Sequence, residues 1–168
     1  MDFNIFIDIS ILIVLLVIFI QDILYREVSL SIFVLAFLLL GFNFYSKNTD
    51  FKYILINASF IALQMGVVLF YSWFKFKKIN VFEELFGLGD LIFWGLLLVG
   101  FSPFNFVVFF IISLSLSLLY VPFIKYSKHA TVPLAGLQSV LYAIVIGLDR
   151  LYSSIDLFSD NYWIQLLP

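Results

Sequence analysis

The chain has 168 residues, 64% of them hydrophobic and only 12% charged, with a mean hydropathy of +1.13. A soluble globular domain is nearer half apolar and a quarter charged, so this composition belongs to a polytopic membrane protein surrounded by the lipid bilayer. A net charge of −2 gives no basis for a nucleic-acid partner, and the absence of cysteine removes disulfides, thiol catalysis and cysteine-ligated zinc.

Six apolar stretches follow one another along the chain. Backbone at membrane depth must hydrogen-bond internally, so each is expected to be a helix. The alternation of polar and apolar residues that marks a membrane barrel is absent. The first stretch covers about 5–21 and ends at Gln21-Asp22. No Lys or Arg precedes it, so a cleavable leader is not expected and the helix is retained. The second covers about 30–45 and the third about 53–74. The fourth, about 91–102, follows the run "FGLGD" (residues 86–90) and stops at Ser102-Pro103. It is short against the roughly 17–25 residues that cross a bilayer. The fifth and sixth cover about 104–124 and 132–152. The expectation is one all-α domain over residues 1–168, a six-helix transmembrane bundle.

Orientation follows from Lys and Arg in the short loops. Arg26, Lys75, Lys77, Lys78, Lys125 and Lys128 fall on one side, and Lys47, Lys52 and Arg150 on the other. The bias places the amino terminus outside and the Arg26, Lys75–Lys78 and Lys125–Lys128 loops in the cytoplasm. Asp22 and Asp90 then lie at the same depth on the cytoplasmic side, while Asp8 and Asp149 lie near the outer face.

An Asp at a helix end has an ordinary explanation, because charged residues commonly flank membrane helices. Gly87 and Gly89 allow positive φ and close backbone approach, and Asp90 falls at or just before a helix start, where Asp is a favoured cap. A glycine turn with a capping Asp accounts for Asp90 but is silent on Asp22. A functional reading needs both. Two close carboxylates cannot both ionise easily and share one proton. The ionised one activates a water, and the protonated one polarises a carbonyl and feeds a proton to the leaving amine. That is peptide hydrolysis with no cofactor and no metal.

"FGLGD" at the opening of a membrane helix resembles the Gly-x-Gly-Asp signature of aspartic membrane proteases, and the chain as a whole is similar to the small prepilin peptidases. In that family the first catalytic Asp closes the first core helix ahead of a basic stretch, and "FIQDILYREVSLSIFV" supplies Asp22, Arg26 and Val28. The second is the Asp of Gly-x-Gly-Asp, here Asp90. The last core helix opens with a Pro-containing segment, here "TVPLAGLQ" with Pro133. The resemblance implies an endopeptidase that cleaves the basic leader from type IV pilin-like precursors at the cytoplasmic face of a bacterial or archaeal membrane. It implies Asp22 and Asp90 as the catalytic pair, with Gly87, Gly89 and Pro133 shaping the site. Without cysteine or the inserted cytoplasmic domain of the larger enzymes, it implies no methyltransferase activity. Ser29 stands where the family usually has Pro, Ile92 where many members carry Lys, and the Pro133 segment lacks the usual aromatic-Gly-Pro pattern.

Glu83 and Glu84, beside the site in sequence, could receive a basic leader or simply form a solvated acidic loop. Lys75, Lys77 and Lys78 anchor a helix end. His129 has no second His to share a metal. Ser113, Ser115 and Ser117 are expected to pack or back-bond within a helix. The twenty-two Phe residues read as lipid-facing bulk. Two other readings stay open. One is a presenilin-like intramembrane protease, suggested by "VPLAG", although Gln21 stands where that family carries Tyr. The other is a non-catalytic membrane subunit or ion-handling protein whose carboxylates bind cations or partners.

Overall fold

The computed structural model describes residues 3–76, 87–124, 132–151, 156–160 and 163. Among these residues there are six helices and no strand: α1 Phe3–Tyr25, α2 Leu30–Ser46, α3 Lys52–Phe76, α4 Leu88–Gly100, α5 Pro103–Ile124 and α6 Leu134–Leu151. Four of them, α1, α3, α5 and α6, are long and apolar enough to cross a membrane; α2 and α4 are shorter apolar helices of 17 and 13 residues. Large apolar side chains such as Ile13, Leu38, Leu55, Leu63, Phe70 and Leu118 project outward. So broad an apolar exterior is intolerable in water and ordinary in lipid, and the protein is an integral membrane protein by this measure.

The helix boundaries follow from local chemistry. α1 runs past Gln21-Asp22 and places Asp22 inside its last turn. The expected stop there does not occur because Ile23 and Leu24 continue the apolar run. It ends where Arg26 turns left-handed at φ 58° while its N–H still bonds the Asp22 carbonyl at 3.1 Å. α2 ends in the same way at Asn48, φ 50°, a residue type that tolerates this conformation. α4 begins at Gly87, its N-cap, and so opens before Asp90. Extended Phe101 and then Ser102 lead into Pro103 at the first position of α5, where a missing N–H costs nothing. Asp160 caps that helix from a distant segment, accepting the Ser102 hydroxyl at 2.5 Å and the Phe104 N–H at 3.2 Å.

α1 packs along α6, and α2 packs on α1 and α4. α4 is the inner helix, with Phe93, Trp94, Leu96 and Leu97 all buried. α3 is the outermost and packs on α4 and α5. Its buried Asn57 donates to the Leu98 and Phe101 carbonyls at 3.1 and 3.0 Å, satisfying acceptors that the end of α4 leaves open. Phe is not merely lipid-facing bulk: Phe33, Phe44, Phe93, Phe101, Phe106 and Phe110 are buried. Lipid offers Phe no hydrophobic penalty to escape, so its placement is decided by packing. Phe101 stacks on Phe109 at 4.8 Å and lies against Tyr142 at 4.7 Å. The three serines bond back to α5 carbonyls at 2.8–3.0 Å.

One helix contact leaves no room for a methyl group. Tyr142 is fully buried and its hydroxyl donates to the Gly100 carbonyl at 3.3 Å. A Cβ on Gly100 would overlap that hydroxyl and lie 2.8 Å from Cζ. Gly100→Ala is expected to cost about 1–3 kcal/mol, read as a lower thermal midpoint in detergent. Combining it with Tyr142→Phe, which removes the clashing oxygen, should recover part of the loss.

Candidate functional site

The first turn of α6 organises the site. A helix N-terminus carries N–H groups with no intrahelical acceptor, and a Ser, Thr, Asp or Asn cap normally supplies one. Here the cap position is Pro133, buried, with neither a polar side chain nor an N–H. The Leu134 N–H turns back to the Val132 carbonyl at 2.9 Å, and the Leu137 N–H begins the helical ladder on the Pro133 carbonyl at 3.0 Å. The two amides between them are satisfied from other helices. The Ala135 N–H donates to Asp90 Oδ1 at 2.9 Å, and the Gly136 N–H donates to Asp22 Oδ2 at 2.6 Å.

Asp22 from the last turn of α1 and Asp90 from the first turn of α4 therefore meet on consecutive amides of α6. Adjacent helical nitrogens are about 3 Å apart, so the two bound oxygens are at most roughly 8.5 Å apart. No other helix separates the two side chains. Both carboxylates face the partial positive charge of a helix start. Asp22 is buried and Asp90 half-buried. Asp90 also accepts the Gly87 N–H through Oδ2 at 3.3 Å, a bond across the first turn of its own helix.

Neither glycine beside Asp90 is required for its conformation, and only Gly87 is required for space. No glycine among the described residues has positive φ, and Gly87 sits at φ −71°. A Cβ on Gly87 would come 3.2 Å from Asp90 Oδ2, whereas one on Gly89 would meet only the Phe33 ring at 4.0 Å. Gly89 lies inside α4, where helical φ is required. The tightest approach at the site is at Gly136, where a Cβ would stand 3.0 Å from both Cβ and Oδ2 of Asp22. Gly136 lies in the quoted "TVPLAGLQ" run, yet its importance depends on a partner 114 positions away.

Arg26, just after α1, and Gln21, near the end of that helix, complete the surroundings. Arg26, read from sequence only as a loop cation, has Nε and Nη1 buried without a hydrogen-bond partner, and its charge bears on both Asp22 and Asp90. Gln21 accepts the Ser29 N–H at 3.0 Å and pins the α1–α2 turn below Asp22. Asp8 and Asp149 lie elsewhere. Asp8 pairs with Arg150 and accepts from Asn43 at 3.4 Å, while Asp149 pairs with Lys47 at 3.6 Å. Glu83, Glu84, Lys77, Lys78, Lys125, Lys128 and His129 lie outside the described residues. Among the described residues no three His, Asp or Glu side chains converge as a metal-ligand set.

Comparison with protein-family models, with curated proteins and with solved structures returned no match.

The close contact predicts an asymmetry between neighbouring α6 residues. Gly136→Ala should push the Asp22 carboxylate off its amide and cost about 1–3 kcal/mol. Ala135→Gly keeps its N–H and adds only backbone entropy, about 0.5–1 kcal/mol. Thermal unfolding of the two variants in the same detergent measures the difference.

Proposed function

We propose that this protein is a membrane aspartic endopeptidase that removes the basic leader from type IV pilin-like precursors. The observation that carries the reading is the convergence of Asp22 and Asp90, from different helices, on adjacent amides of the α6 start. The six helices form a six-span bundle in this reading, with the amino terminus outside and the dyad at the cytoplasmic face. The excess of Lys and Arg in the Arg26, Lys75–Lys78 and Lys125–Lys128 loops supports that orientation.

In the reaction one carboxyl is protonated and the other ionised, since two carboxylates so placed do not both carry charge easily. The ionised one takes a proton from water as the water oxygen bonds to the scissile carbonyl carbon. The protonated one gives its proton to the carbonyl oxygen. Collapse of the tetrahedral diol breaks the C–N bond; the amine leaves with a proton from one Asp, and the product acid's hydroxyl proton returns to the other. The Ala135 and Gly136 N–H bonds hold one oxygen of each carboxyl, so both groups act from fixed orientations. The unpartnered donors of Arg26 suit a backbone carbonyl of an extended substrate.

The same hydrogen bonds favour a second reading, in which the two carboxylates do no more than cap α6. Substitution separates the two. Asp22→Asn and Asp90→Asn each keep an acceptor oxygen for the amide but lose half of the acid–base pair. Each should reduce cleavage of a leader-bearing precursor at least about 10³-fold while the protein stays inserted and folded. Chelators should leave the wild-type rate unchanged, because the two Asp residues carry both proton transfers. Full activity in either Asn variant would rule the mechanism out.

Sidedness has its own test. The natural chain has no cysteine, so single cysteines at Lys77 and Lys47 can be labelled unambiguously. Position 77 should react only from the cytoplasm and position 47 only from outside. The opposite pattern would put the dyad on the wrong face for a cytoplasmic leader.

A further inference from the structure

One turn along α4 and α6 from the dyad, a second set of side chains joins these two helices to α5. Trp94 lies four residues after Asp90 on α4, and Gln138 lies three after Ala135 on α6, so each pair occupies one helix face. Trp94 Nε1 donates to Gln138 Oε1 at 3.0 Å, and Gln138 Nε2 donates to Ser113 Oγ on α5 at 3.1 Å. Ser113 in turn donates to the Phe110 carbonyl at 3.0 Å. Trp94, Gln138 and Ser113 are all buried, the last two completely. The indole also packs edge-on against Phe110 at 5.3 Å.

The direction of this chain is forced. An indole N–H only donates, so it must meet the amide oxygen, and the amide nitrogen must then face the serine. Apolar faces gain little by leaving lipid for one another, so hydrophobic burial by itself is a weak guide to register. A buried amide with a single satisfied arrangement does prefer one register. A slip of α6 by one residue, about 1.5 Å and 100°, would break this chain and withdraw both amides from their carboxylates.

We propose that Trp94, Gln138 and Ser113 are positioning residues for the dyad. They lock α6 against α4 and α5 in the register that presents the Ala135 and Gly136 N–H groups to Asp90 and Asp22. The catalytic consequence rests on the peptidase reading; the structural consequence does not.

The test uses the full chain in lipid nanodiscs, with Trp94→Phe, Gln138→Met, the double variant, and Ser113→Ala as the mildest change should the larger ones fail to fold. Amide exchange followed by NMR should quicken about tenfold at Ala135 and Gly136 in each single variant, with α2 amides unchanged. The double variant should match Gln138→Met, because the indole has then already lost its acceptor. In leader cleavage, kcat should fall about tenfold or more with KM within about twofold. Unchanged exchange at both amides, or equal acceleration throughout the helices, would overturn the proposal. A wild-type protein that cleaves nothing, yet shows the local exchange response, supports the positioning role and removes the peptidase reading.

Discussion

A helix that starts at proline has no side chain of its own to cap its first amides, so acceptors must come from elsewhere in the fold. This constraint governs the site. The Ala135 and Gly136 N–H groups need acceptors, and α1 and α4 deliver them as Asp22 and Asp90. The need is reciprocal, because a carboxylate below the interface is costly unless donors meet it. Each side of the pairing therefore makes the other tolerable, and three helices separated widely in sequence become fixed at one point.

Elsewhere the bundle repeats this logic with other partners. Asn57 ties α3 to the end of α4, Tyr142 ties α6 to Gly100, and the Asp8–Arg150 pair joins α1 to α6 away from the dyad. Helices in lipid gain little from burying apolar faces against one another, so these few directional bonds carry much of the specificity of arrangement. The aromatic core supplies the bulk between them. Phe60, Phe106, Phe110 and Trp94 form a run of edge-on and stacked rings from α3 through α5 to α4.

The helical architecture was legible because the apolar stretches are long and their breaks are chemically plain, as at Ser102-Pro103. Asp22 and Asp90 could be singled out because carboxylates are rare at the ends of such apolar runs and the order of the helices puts both at the same end of the bundle. What pairs with them was not legible. The acceptors of Ala135 and Gly136 lie 45 and 114 positions away, and no local pattern reports such distances. The glycines beside Asp90 suggested positive φ, because composition cannot separate a glycine kept for its backbone from one kept for the volume a neighbour occupies. Gly136 is of the second kind. Phe was misread for a related reason: in a membrane protein hydrophobicity no longer distinguishes inside from outside, and shape decides. Gln138 and Ser113 look like ordinary polar interruptions of apolar helices until their partners are seen.

The length of α4 has a physical consequence for the bilayer itself. Thirteen residues at 1.5 Å each reach only about 20 Å, against roughly 30 Å of hydrocarbon. In the six-span arrangement proposed above, one end of α4 stops short of the headgroups, and Asp90 stands at its first turn. In that arrangement the mismatch would draw the membrane surface inward, or admit a column of solvent, over that end of the helix. Under the proposed peptidase reading, a reaction that consumes water would then take place at the floor of a dimple made by a helix too short for its surroundings. Catalytic rate would be coupled to the thickness of the lipids around the protein.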